Sequence, residues 1–298
     1  MIAQAVPRPA DHAPPSRSRA RAARLVAFAG WLALAASGAL LLLAAAHPLG
    51  LVTAYPEPPA AAVAGPLGRT APIAGREALD RVADEPLPDY LARLTETVAA
   101  GMVHYWTAGD TWTPGDAAYT GISIYDNYLL WLLGRFPPYR DHLQNYEFVS
   151  PRQAVARGYG FCSQVSKLVY TVLREQGIPS RILVSERHVV VESGGMLLDA
   201  DYGVFAPRDL DWLRRHPDEI DRHYARYPGA LPLLRDVFGD DWQVLGSDAV
   251  FDDSRAFEEK AERFKWLLPM FGLAAGVALL LLARNLGRAA RVGDGHAG

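Results

Sequence analysis

The stretch "GFCSQVSKLVYTVLREQGIPSRIL" (residues 160–183) carries the reading of the whole chain. Val165, Leu168, Val169, Val172 and Leu173 fall at the i, i+3, i+4, i+7 and i+8 positions of one helical face. Gly177 and Pro179 then supply stop signals. Beyond them "RILVS" and "RHVVVES" are short β-branched runs, and "MLLDA" follows the pair Gly194-Gly195. Two such runs joined by Gly-Gly predict a β-hairpin. The order helix, strand, strand, strand predicts an α+β domain with one helix packed on an antiparallel sheet.

Cys162 is the only cysteine of the chain. An isolated cysteine is most often a small buried hydrophobe, and what raises this one is its surroundings. It stands in the first turn of the helix after Gly158 and Gly160, where backbone N–H groups and the helix dipole favour a thiolate. A nucleophile there needs a base, and the sheet offers His188; the base needs an orienter, for which Asp199 and Asp201 are candidates. With Gly194-Gly195 as the turn, Ser193 faces Met196 and His188 faces Asp201, with Asp199 as diagonal neighbour on the same face. Ala200 has the other parity, and a one-residue bulge would exchange the faces.

These residues carry a resemblance. "GFCSQVSKLVYTVLREQGIPSRIL", "RHVVVES" and "LLDADYG", in that order, resemble the core of the transglutaminase-like superfamily. The likeness spans Arg157 to Gly203, under a fifth of the chain. It implies a papain-like Cys-His-Asp triad with Cys162 as nucleophile, His188 as base and Asp199 as orienter. Here the family pattern selects Asp199, where hairpin arithmetic puts Asp201 opposite the histidine. The chain departs from the pattern at Met196, Leu197 and Leu198, where members carry a longer connection and a tryptophan, and at Ala200, where many have proline. By analogy with papain, Gln153 is a candidate oxyanion donor, though its own short helix, opened by Ser150-Pro151, reads as solvent-facing. The backbone N–H of Cys162 is the alternative donor.

Two uncharged apolar runs, Leu25 to Ala46 and Trp266 to Ala283, each suffice to cross roughly 30 Å of hydrocarbon. Five arginines precede the first and three follow the second, which predicts both termini on the cytoplasmic side of a plasma (inner) membrane and the segment between outside it, periplasmic in a bacterial-type envelope. A cleaved signal peptide ending at "AAAH" is the rival for the first run, but its apolar core is longer than the usual span of about 7–15 residues. The expected organisation is a basic N-terminus 1–24, a span 25–46, a Pro/Gly/Ala-rich linker 47–75, a folded domain 76–253, a juxtamembrane segment 254–265, a span 266–283 and a tail 284–298. Between the flanks 22 basic residues face 31 acidic ones, a balance of −9, which argues against a nucleic-acid partner. One cysteine allows no internal disulfide.

His216 and His223 are interrupted by Pro217, and no His-Glu-x-x-His spacing occurs, so neither metal nor cofactor is expected. "RDLDWLRRHPDEIDRHYARYPG" predicts two short helices broken at Pro217. Tyr119, Tyr125, Tyr128, Trp131, Phe136 and Tyr139 form an aromatic-rich region that suits either a groove or, more commonly, a core. The expectation is therefore a membrane-anchored thiol enzyme performing acyl transfer on a peptide, protein or other amide- or ester-bearing envelope substrate. The alternative is an inactive transglutaminase-like scaffold of an envelope assembly or export machine.

Overall fold

A computed structural model describes residues 15–57, 72–105, 116–245 and 248–295. It divides into two compact units, one of residues 50–262 and one joining Met1–Leu49 to Arg263–Gly298. Helix α1 (Pro15–Ala46) belongs to the latter.

The central unit is mixed α+β. Along it run α2 (Leu87–Gly101), β1 (Val103–His104), α3 (Ala117–Thr120), α4 (Tyr128–Leu133), α5 (Pro137–Leu143), α6 (Pro151–Arg157) and β2 (Tyr159–Gly160). Helix α7 (Cys162–Glu175) then leads into β3 (Ser180–Val184), β4 (Val189–Ser193), β5 (Met196–Asp199) and β6 (Val204–Ala206). Three helices, α8 (Leu210–Arg215), α9 (Pro217–His223) and α10 (Leu231–Gly239), precede β7 (Gln243–Val244) and α11 (Asp248–Gly295).

Local chemistry accounts for the centre. All five residues of the α7 stripe are buried. The helix ends with Gly177 N–H on the Arg174 carbonyl and Ile178 N–H on the Leu173 carbonyl, the paired bonds of a Schellman stop. Gly194 and Gly195 both adopt positive φ, 59° and 73°, as a two-residue type I′ hairpin turn requires. The register follows, with Ser193 opposite Met196 and Val191 opposite Leu198.

The sheet has the order β6-β5-β4-β3-β7, every pair antiparallel. Both faces are covered, not one as the strand pattern implied. Helices α2 and α7 pack on one face, where Leu91, Leu94, Val165 and Val169 meet Ile182, Val189, Val191 and Leu198. On the other, Leu210, Leu213, Ile220, Leu234 and Phe238 from α8–α10, with Tyr224 just after α9, meet Leu183, Val190, Leu197 and Val204. Each fully buried Leu, Val or Phe contributes about 1.5–3 kcal/mol. Ala54 and Tyr55, at the start of the stretch read as a linker, lie in the first core, with Tyr55 edge-on to Phe148 at 6.2 Å between ring centroids. Within that stretch, residues 58–71 fall outside the described residues.

In the other unit, α1 and the C-terminal part of α11 are both long and apolar enough to cross a membrane. Their outward side chains are large and apolar, among them Phe28, Trp31 and Phe271. They meet through small residues. A Cβ added at Gly30 would lie 3.0 Å from the Gly276 carbonyl oxygen, and one at Gly276 the same distance from that of Gly30.

Candidate active site

Cys162 is the first residue of α7, after the extended Phe161, which offers no side-chain cap to the helix start. Two residues earlier, a Cβ at Gly160 would sit 2.5 Å from side-chain carbons of Gln164, so only glycine lets the chain enter the helix this tightly. Gln164 is fully buried. Its Oε1 accepts from Phe148 N–H and from Arg157, both at 2.6 Å, while its Nε2 donates to the Phe148 carbonyl at 2.8 Å. Arg157, also buried, donates further to the carbonyls of Tyr159, Thr120 and Tyr146. The loop before the thiol is thereby tied to one hub. The thiol itself is half-buried.

His188 stands one residue before β4, in a turn where Ser185 N–H reaches the His188 carbonyl at 2.9 Å and His188 N–H reaches the Ser185 hydroxyl at 3.1 Å. Its Nε2 is 2.9 Å from Asp199 Oδ2. The Cys162 sulfur lies near enough to the ring to raise its affinity for a proton. Ser166, one turn along from Cys162, donates to the Val189 carbonyl at 2.8 Å and ties helix to strand beside the pair.

Asp199, the last residue of β5, is wholly buried, and four donors surround it. Oδ2 faces His188 and accepts the Tyr224 hydroxyl at 2.6 Å; Oδ1 accepts the backbone N–H groups of Asp201 at 3.2 Å and Tyr202 at 3.3 Å. The Tyr202 ring stands edge-on to the imidazole, centroids 5.7 Å apart.

Burial alone would pull the His188 pKa down. The Asp199 carboxylate outweighs it by charge and hydrogen bond, and the Cys162 sulfur adds in the same direction, so the imidazole is held well above its ordinary 6.5. Burial, and then the Asp199 charge, push the Tyr224 phenol up, which keeps it a donor.

The structure thus brings Cys162, His188 and Asp199 together, and it does so by a route the strand pattern did not imply. In-strand parity puts Asp199 on the α8–α10 side with Leu197, whereas Cys162 belongs to a helix on the opposite face. The imidazole makes the link because it lies beyond the end of β4. Asp201 does not face His188. The chain leaves β5 after Asp199, with no bulge in the described pairing, and Asp201 turns to His104 in β1, whose Nδ1 is 2.7 Å from both its carboxylate oxygens. Gln153 lies in α6 and donates to Asp126 at 3.2 Å. Ser150 makes no side-chain cap, and its N–H goes to Glu258 of α11. His216 stacks on Trp212, with its Nδ1 2.8 Å from the Trp212 carbonyl. Among the described residues no group of three His, Cys, Asp or Glu side chains is arranged to hold a metal.

A mostly apolar groove of about 790 Å³ opens beside the helix start, and the residues on either side of Cys162, Phe161 and Ser163, belong to its wall. Tyr139, Tyr146, Phe251 and Phe257 line it; Lys167 pairs with Glu147 at 2.5 Å within it, and the Ser163 hydroxyl donates to the same carboxylate. The aromatic-rich region therefore divides: Tyr128 goes to the interior, while Tyr139 is half exposed and faces this groove.

Sequence reasoning missed Tyr224, His104, and the Arg157–Gln164 hub. Only the hub had a signal, a charged side chain five residues before the cysteine. Comparison with protein-family models, with curated proteins and with solved structures finds no match.

Proposed function

We propose that the chain is a two-span membrane protein whose central domain is a transglutaminase-like thiol enzyme working by acyl transfer. The observation that carries this reading is the buried His188–Asp199 pair, Nε2 to Oδ2 at 2.9 Å, with the half-buried Cys162 sulfur near enough to raise the imidazole's proton affinity. The Cys162 sulfur attacks an amide or ester carbonyl, and any proton it still bears passes to His188. The oxyanion so formed is met by N–H groups at the start of α7. His188 then gives its proton to the leaving amine or alcohol, and a Cys162 thioester remains. Water, or an amine, deprotonated by His188, attacks that thioester and releases the sulfur. Asp199 fixes the ring through its contact with Nε2. The groove beside Phe161 and Ser163 suits the apolar part of a peptide or protein substrate. Arginines outside both spans support an arrangement with cytoplasmic termini and the thiol across the membrane.

Thiol chemistry tests the reading. In the full chain, Cys162 should be alkylated by iodoacetamide at mildly acidic pH far faster than in the denatured chain, and His188→Ala should abolish the difference. Equal rates would leave the fold as an inert scaffold of an envelope machine. A membrane-impermeant maleimide should label Cys162 in intact cells; protection until lysis would reverse the topology. Cys162→Ser should retain the substrate for identification.

A further inference from the structure

We infer that His104 is a positioning residue for the proposed reaction, acting through Asp201 to hold the turn that orients Asp199. The inference rests on the acyl-transfer reading of the site. Asp199 Oδ2 serves His188 and Tyr224, so the angle of the carboxylate depends on what holds Oδ1. That atom is held by the N–H groups of Asp201 and Tyr202 alone among its described partners. The turn carrying them is anchored from two sides. From the segment after α9, the Tyr227 hydroxyl donates to the Tyr202 carbonyl at 2.7 Å, and Arg226 donates to the Tyr202 and Gly203 carbonyls. From the other side comes His104, with Nδ1 2.7 Å from both oxygens of Asp201.

The origin of that second anchor matters. His104 lies in β1, which pairs in parallel with β2; His104 is opposite Gly160, and the Tyr105 N–H donates to the Gly160 carbonyl at 2.8 Å. Cys162 follows two residues later. The His104–Asp201 contact therefore joins the segment that delivers the sulfur to the turn that delivers the carboxylate. Its side chains are only 10% and 6% exposed, so water competes weakly for it. An imidazole–carboxylate pair there sets the spacing of nucleophile and orienter without touching a reacting atom.

The test uses the full chain in detergent micelles. His104→Phe keeps the ring and removes the donor; Asp201→Ser removes the carboxylate but keeps the backbone N–H; His104→Asn returns a donor at the position of Nδ1. Thermal melting reports folding, the His188 ring is titrated by NMR, and Cys162 alkylation is timed. His104→Phe and Asp201→Ser should lower the His188 midpoint by roughly one unit, a tenfold change in proton affinity, and slow alkylation in step. His104→Asn should restore both. If either of the first two variants folds and keeps the wild-type midpoint and rate, the inference is overturned; if His104→Asn behaves like His104→Phe, the donor is not what matters and it is equally overturned. The NMR midpoint is independent of activity. If instead His188→Ala leaves alkylation unchanged, it is the acyl-transfer reading that fails.

Discussion

Tyr224 donates its hydroxyl to Asp199 Oδ2 at 2.6 Å, the same oxygen that faces His188 Nε2. A buried phenol and an imidazole thus share one oxygen of a single carboxylate. Tyr224→Phe keeps the ring, which packs on Phe238 and Tyr202, and deletes only the hydroxyl. A hydrogen bond to a charged group is worth about 1.5–3 kcal/mol, so stability should fall by roughly that amount. The unshared oxygen should also hold the imidazolium more strongly. Thermal melting and the NMR titration of His188 check both; a midpoint that falls would mean the phenol assists the pair.

The His188 pair makes stability depend on pH in one direction. Its folded pKa lies above the unfolded value near 6.5, so its contribution is fully present below that pH and is lost as pH rises through the folded value. The His188 ring should therefore remain imidazolium at neutral pH, and its signals should move only on the alkaline side of 6.5. Titration at or below 6.5 would show that burial outweighs the carboxylate.

Glu258, on α11, is buried and takes three donors: the Tyr146 hydroxyl at 2.9 Å and the N–H groups of Val149 and Ser150, both at 2.8 Å. It closes the segment before α6, where the Ser150 hydroxyl makes no cap. Burial raises its pKa against those donors. With the folded value above the unfolded one, its contribution is largest below about pH 4.5 and declines as pH climbs through the folded value. Glu258→Gln turns an amide NH2 towards one of the donors, which should cost about 1–3 kcal/mol and remove that part of the pH dependence. Melting curves across the acidic range measure both. An unchanged slope would assign it to other carboxylates.

What was legible in the sequence was local. The α7 stripe, its Gly177 stop and the Gly194-Gly195 turn each depend on residues within a few positions, and helix, hairpin and register follow from them. The position of Asp199 relative to His188 depends on where β5 ends, which alternation does not encode: the same register that sets Ser193 against Met196 would, if continued, set His188 against Asp201. The contacts of Tyr224 and His104 arise between segments 25 and 97 residues apart, and a tyrosine at the end of a short helix looks like any core residue until the turn it meets is in place. The second helical layer was hidden for a related reason. Strands covered on both faces show continuous apolar runs, and β4 is buried at all five positions.

The two apolar helices bear on whether the first is kept in the mature protein. A cleaved signal segment has no need to fit a partner, yet α1 presents Gly30 and Ser37 to Gly276 and Gly272 of α11, and an ideal Cβ on Gly272 would lie 3.3 Å from the Ser37 Cβ. That separation is close to the roughly 3.5–4.5 Å spanned in a disulfide. In a Cys162→Ala background, Ser37→Cys combined with Gly272→Cys should cross-link on mild oxidation and keep the two ends of the chain together after proteolysis of the central domain. Gly276→Leu, which forces a branched side chain against the Gly30 carbonyl, should suppress the cross-link. A mature N-terminus beyond Ala46, or no cross-link in a chain that still melts cooperatively, would mean that α1 is not a permanent partner of α11.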